Sequence, residues 1–318
     1  MQNTFTKPAD FWQQRDFGKK ISATFEFIGA HWRPLGQVLL YLVVPVALVQ
    51  GILNMVLQSQ LLGTLRQVSS GQSAGGAYSF SGRFAMYSTL VQSPLYLLNN
   101  LLAVALHAVL VLSVYGYLLR CVYPTQAGAP ITVADVWEVV KRQFLSTFFS
   151  LYGVWIIIIL GFVVLLVPGI YLGVVLSLFF VVKVLENTGF GTTINRCVSL
   201  TRGKWWSTFG LLFVMLLIIY FMFASLGIVA ALFSGVRSLL LSSGKLPSSF
   251  FVFITAFSGL LTLLLYPPVL LAIAFQYFNL VELKEGMGLR LLVDQLGQAH
   301  AQPEAHSSYF QPDEEGSY

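Results

Sequence analysis

The residues best equipped for chemistry stand where one apolar run ends and the next begins. Lys183 and Glu186 close the run 169–186, and Arg196, Arg202, Lys204, Trp205 and Trp206 follow. Cations beside an anionic lipid surface contribute about 1 kcal/mol each, and indole rings settle at membrane–water boundaries. This set therefore suits lipid headgroups or an acidic partner. The same residues also fit ordinary topological charge, with a Glu–Arg pair fixing the connection.

A second group lies inside apolar runs. His107 sits in LLAVALHAVLVL, where an ionisable side chain is expensive and suggests a transport path. Tyr266, Pro267 and Pro268 fall near the centre of another run, where proline removes donors and kinks a helix. Broken helices can bind ions or substrates through freed carbonyls, and Pro45 in the first run fits the same idea. The alternative is packing: a neutral His bonded to a neighbouring helix, prolines that only bend, and amides (Gln50, Asn54, Asn99, Asn100) that join helices. No carboxylate lies at the depth of His107 to serve as a relay partner.

Enzyme signatures are not visible. The chain holds no H-E-x-x-H, G-x-S-x-G or Walker loop, and no paired carboxylates within an apolar run. His31 stands beside Trp32, while His300 and His306 sit in a polar tail. Cys121 and Cys197 have no second Cys or His at metal-ligand spacing. No enzyme activity, cofactor or metal is expected.

The elements that must position these residues follow from composition. Of 318 residues, 56% are hydrophobic and 10% charged, and mean hydropathy is +0.76, more apolar surface than a soluble core can hide. Apolar runs at about 35–58, 94–119, 144–166, 169–186, 206–234 and 250–282 each match the roughly 20 residues of a crossing helix. The expected fold is all-α: six transmembrane helices in three hairpins, the third and fourth joined only by Val167, Pro168 and Gly169. The first run lies behind Asp10, Asp16 and Glu26 with no cleavage-like site after it, so it reads as an uncleaved span rather than a signal peptide.

Charge orients this plan. Fourteen of the 18 Lys and Arg residues fall in alternate segments on one side, against Arg66, Arg83, Arg237 and Lys245 on the other. The positive-inside rule then places both termini in the cytoplasm. The net charge of +5 is spread among these segments rather than gathered in one patch, which argues against a nucleic-acid partner. A bacterial inner-membrane location follows, with membrane lipids and another membrane or cytoplasmic protein as candidate partners.

Three amphipathic segments precede spans. In 11–33, Phe17, Ile21, Phe25, Ile28 and Trp32 mark one apolar face; Pro34 is expected to break this helix before the first span. It would either lie in the interface or pack on other cytoplasmic segments. The pattern returns at 131–143 and 190–205. At an offset of 173, Phe17, Gly18, Ile21 and Trp32 align with Phe190, Gly191, Ile194 and Trp205, suggesting three units of interfacial helix plus hairpin. The loop 59–93 is rich in Gly, Ser and Gln and reads as flexible, and the external loop 235–249 carries little chemistry. Segment 283–318 reads as a short amphipathic helix (Leu289, Leu292, Val293, Leu296) and a disordered tail.

Pro168-Gly169-Ile170-Tyr171, Glu186 before Gly189, Arg196, and Leu200-Thr201-Arg202-Gly203 before the Trp pair resemble the membrane domain associated with bacterial glycerophosphodiester phosphodiesterases. The stretch Glu282 to Leu289 is similar to the end of stand-alone relatives common in Bacteroidota. The residue after Arg196 is often Ser in that family and is Cys197 here. Nothing after Gln298 offers the metal-binding carboxylates of the catalytic domain that some relatives carry. The resemblance therefore implies a membrane fold and does not transfer hydrolase activity. The expected function is a non-enzymatic membrane component that binds lipid or a partner through its cytoplasmic face; the alternative is a small transporter or channel.

Overall fold

The structure is a computed structural model that describes residue 5 and residues 7–70, 93–124, 129–242, 266–291 and 293. Among the described residues, a short 3-10 turn at Pro8–Asp10 precedes eight α-helices, and residues 287–291 and 293 are helical as well. The eight are α1 (Phe17–Ser70), α2 (Pro94–Val122), α3 (Val133–Val164), α4 (Leu166–Leu176), α5 (Phe179–Glu186), α6 (Phe190–Thr201), α7 (Trp205–Ser242) and α8 (Tyr266–Glu285). No strand occurs among the described residues.

Five stretches are long and apolar enough to cross a membrane: Phe17–Leu57, Pro94–Val122, Val133–Val164, Leu166–Glu186 and Trp205–Met222. The protein is an all-α polytopic membrane protein. Of the sixth expected span, only the part from Tyr266 is described; the expected mid-span kink and the polar tail 299–318 lie outside the described residues.

Several boundaries differ from the sequence expectation. Pro34 does not end the first helix: α1 continues through it, and the distortion sits at His31, with φ −113° and ψ 16°. Proline lacks an N–H and crowds the preceding turn, so the strain appears three residues upstream as a kink. Residues 59–70, expected within a loop, are helical, because α1 continues to Ser70, and α7 likewise continues to Ser242; the rest of both expected loops, residue 93 apart, lies outside the described residues. A helix that overruns its apolar run keeps its backbone groups bonded inside or outside lipid.

The segment 131–143 is not a separate interfacial helix but the first part of α3. Thr132 starts it with a capping box: Thr132 Oγ1 accepts from the Asp135 amide at 3.3 Å, and Asp135 Oδ2 accepts from the Thr132 amide at 2.9 Å. No Gly or Pro then occurs before Gly153 to interrupt it.

The turn between α3 and α4 falls on Leu165, which is fully extended at φ −163°, while Pro168 and Gly169 lie inside the first turns of α4. Proline is tolerated there because first-turn amides have no helical partner. The glycines set the closeness of the two helices. A Cβ on Gly169 would stand 2.5 Å from the Phe162 ring and 2.9 Å from its Cα, and one on Gly161 would stand 3.1 Å from the Gly169 Cα.

The core gathers at one end of the bundle. Ala108 to Leu118 of α2, most of α5, and Leu271 to Val281 of α8 apart from Ile273 are buried, whereas His107 of α2 is exposed. Helices α1 and α3 flank α2, α5 packs on its other side, and α8 closes the bundle against α1, α2 and α7. Gln50 joins α1 to α2 by donating Nε2 to Asn99 Oδ1 at 3.1 Å. Because lipid is as apolar as a Leu side chain, such hydrogen bonds and close packing hold helices together here.

The amphipathic start of α1 splits its apolar stripe, with Ile21 and Ile28 half-buried against the core. Phe17, Phe25 and Trp32 are exposed, whereas Lys20, Ala23, Thr24 and Phe27 face protein. Ahead of it, Phe5, Phe11 and Trp12 are buried against α8, where Trp12 meets Phe278 edge-on at 4.8 Å. Arg15 anchors this segment: its amide donates to Asn279 Oδ1 at 2.8 Å, and its guanidinium lies 5.2 Å from the Phe275 ring.

Candidate functional site

The cluster around α6 is built from four chain segments. Asn187, in the left-handed conformation with φ 49°, ends α5 and turns the chain toward Gly189, from which α6 starts. Asn adopts this conformation at little cost. Gly203, at φ 80°, supplies the second reversal, between α6 and α7. These two turns fold α6 back between the ends of α5 and α8.

Arg196 on α6 is the hub. Its Nε donates to Glu186 Oε1 at 2.9 Å and Oε2 at 3.1 Å, and its Nη1 donates to Glu285 Oε1. Tyr277 of α8 donates its hydroxyl to the same Glu186 Oε1 at 2.9 Å. One guanidinium thus ties the ends of α5 and α8 to α6. A planar fork of fixed donors suits this task, and an ammonium does not.

The electrostatics follow. Hydrogen bonding to Glu285, opposed by partial burial and joined by Glu186, holds the Arg196 guanidinium above its usual range. The Arg196 bond holds the Glu285 carboxyl below its ordinary range. Beside Arg196, burial pushes the Cys197 thiol up to about 12, which leaves it an inert packing residue rather than a nucleophile. Lys284 adds a further tie by donating to the Ser199 and Arg202 carbonyls at the end of α6.

Two of the expected site residues are engaged elsewhere. Lys183 is 4% exposed and donates to Ser146 Oγ of α3 at 2.9 Å, so it does not join the Arg196 cluster. Trp205 is half-buried and stacks on Phe209 at 5.2 Å and Tyr171 at 6.2 Å. Arg202, Lys204 and Trp206 differ: all three are exposed at the α6–α7 junction, Trp206 at 77%.

The transport candidates are partly brought together. The His107 ring meets Tyr266 edge-on at 5.9 Å, and its Nδ1 lies 2.8 Å from the Ala103 carbonyl one turn back. Pro267 is buried and Pro268 half-buried in the first described turn of α8. Pro45 is in α1 and lines a groove with Val109 of α2 rather than with His107.

Among the described residues, no three or more His, Cys, Asp or Glu side chains gather as a metal-binding group. The chain matches no family model, no curated protein and no solved structure. Sequence reasoning missed Glu285, Tyr277 and Arg15, the residues that complete the anchoring. Glu285 follows the Lys284 of ELKEG in a segment read as a helix end, and only the fold places it beside Arg196.

Proposed function

We propose that the protein is a non-enzymatic, multi-pass component of a bacterial inner membrane, with both termini in the cytoplasm, whose cytoplasmic face binds anionic lipid or a partner. The observation that carries this reading is the α6–α7 junction. Arg202 and Lys204 flank Gly203 and are exposed, with the exposed Trp206 one turn on. Among the described residues no carboxylate lies within ion-pair distance of either cation, while Arg196 is neutralised by Glu186 and Glu285. Two uncompensated cations and an exposed indole on a rigid, clamped support suit a lipid headgroup layer or an acidic protein surface.

The resemblance to the phosphodiesterase-associated membrane domain is part of this proposal and contributes a membrane fold only. The test is twofold: enrichment of anionic over zwitterionic lipid around the purified protein, and capture of a partner by the wild type but not by an Arg202→Gln, Lys204→Gln variant. A protein showing neither would overturn the reading.

The contact between His107 and Tyr266 favours a second reading, a small transporter or channel whose path runs along the start of α8. Substrate-independent proton or ion leak through proteoliposomes, abolished by His107→Phe, would support it. Sealed vesicles with either side chain would exclude a leak pathway through this contact.

A further inference from the structure

A groove of about 710 Å³ runs along the flank of the bundle, away from the α6–α7 junction. Its walls are Tyr41, Leu42, Pro45 and Val46 of α1 and one face of α3, Val133, Ala134, Trp137, Val140, Lys141 and Phe144; Val109 of α2 forms the floor. The α3 residues recur at helical spacing, so a single stripe lines the groove from end to end.

We propose that this groove binds one acyl chain of an anionic phospholipid whose phosphate sits at Lys141. Its size lies within the range of ligand pockets, and its lining is apolar apart from Lys141 and the Tyr41 hydroxyl. The two helices that wall it also expose Leu40 of α1 and Leu145, Phe149 and Trp155 of α3, apolar surface that hydrocarbon covers in a polytopic protein.

Charge decides the kind of lipid. Lys141 lies 5.4 Å from the Trp137 ring and, among the described residues, has no carboxylate within ion-pair distance. The nearest acid along the helix, Glu138, is turned to Arg120 at 3.3 Å. A cation beside an indole, in an apolar slot that Tyr41 also lines, matches a headgroup phosphate next to its own chain.

The site is distinct from the proposed cytoplasmic binding face, and its test separates the two. Protein stripped of lipid in detergent is offered phosphatidylglycerol and phosphatidylcholine in equal amounts, and bound lipid is counted by native mass spectrometry. One phosphatidylglycerol is expected to remain bound. Lys141→Gln should lower its preference over phosphatidylcholine about fivefold, the ratio one cation near an anionic surface provides. Ala134→Trp, a change at an exposed position that fills the slot, should remove both lipids, while Arg202→Gln, Lys204→Gln should leave this lipid in place. Undiminished binding in Ala134→Trp, an unchanged preference in Lys141→Gln, or displacement of the lipid by soluble glycerol phosphate alone would overturn the proposal.

Discussion

Arg196 and Glu186 face each other from consecutive helices, with the guanidinium Nε at 2.9 and 3.1 Å from the two carboxylate oxygens and a second nitrogen on Glu285. Ten residues separate the first pair in sequence and 89 separate Arg196 from Glu285. The local contact shapes the α5–α6 turn, and the distant one fixes that turn to α8. Whatever binds at the neighbouring α6–α7 junction therefore meets a rigid support.

Removing the hub should loosen three helices together. Arg196→Ala leaves two carboxylates facing each other without their cation, at sites that are about one-quarter to one-third exposed. A fully buried pair broken this way costs about 3–5 kcal/mol, and solvent screening reduces that here to about 1–3 kcal/mol. Arg196→Lys should recover less than half, since an ammonium cannot span both partners. Thermal unfolding in detergent checks the order wild type, Lys, Ala.

The clamp should also weaken in acid. The folded Glu285 carboxyl titrates below its ordinary value of 4.5. Its contribution is complete above that value and is lost as pH falls through the lower folded value. Arg196 is held above the usual guanidinium range and stays charged throughout the accessible range. The midpoint of unfolding in wild type should thus fall more steeply below about pH 4.5 than in Glu285→Gln, where a parallel decline would contradict the linkage.

The α3–α4 hairpin offers a control within one helix. Gly169→Ala places a methyl against both the ring and the backbone Cα of Phe162, so trimming that ring in Phe162→Ala should not restore it. Overpacking of this kind costs about 1–3 kcal/mol. Gly173, one turn further, has nothing within 4 Å of a Cβ, and Gly173→Ala should be neutral or slightly stabilising. Equal effects at both positions would show that close packing at Gly169 is not what holds the hairpin.

Much of this plan was legible in the sequence because lipid imposes simple rules. Apolar runs of the right length marked the spans, and the Lys183 to Trp206 set pointed to the segment that carries the Arg196 hub. The repeat with offset 173 has a geometric echo. Both α1 and α6 begin at the aligned Phe17 and Phe190, and the kink at His31 aligns with Lys204 in the break before α7. Other features were not legible. Whether a segment like 131–143 stands alone or joins the following span depends on one capping box and the absence of a breaker. The partners of Arg196 depend on α8 returning to α6, and the burial of Phe11 and Trp12 against α8 depends on Arg15 reaching Asn279; neither leaves a local pattern.

Orientation has its own test. Thr192 is exposed on α6, so Thr192→Cys in a Cys121→Ser, Cys197→Ala background should react with an impermeant thiol reagent in inside-out vesicles and remain unlabelled in intact cells. Labelling of intact cells would reverse the proposed topology.

The central claim, that the α6–α7 junction seats on anionic headgroups, is met most directly by lipid selectivity in reconstituted membranes. Spin-labelled phosphatidylglycerol and phosphatidylcholine report their relative association with the protein surface. The account predicts a clear preference for phosphatidylglycerol that shrinks with added salt and, in a Lys141→Gln background that silences the groove, falls about fivefold for each of Arg202 and Lys204 replaced by Gln. Equal association of the two lipids with the wild-type protein, or a preference in the Lys141→Gln background that is unchanged by loss of both cations, would contradict it.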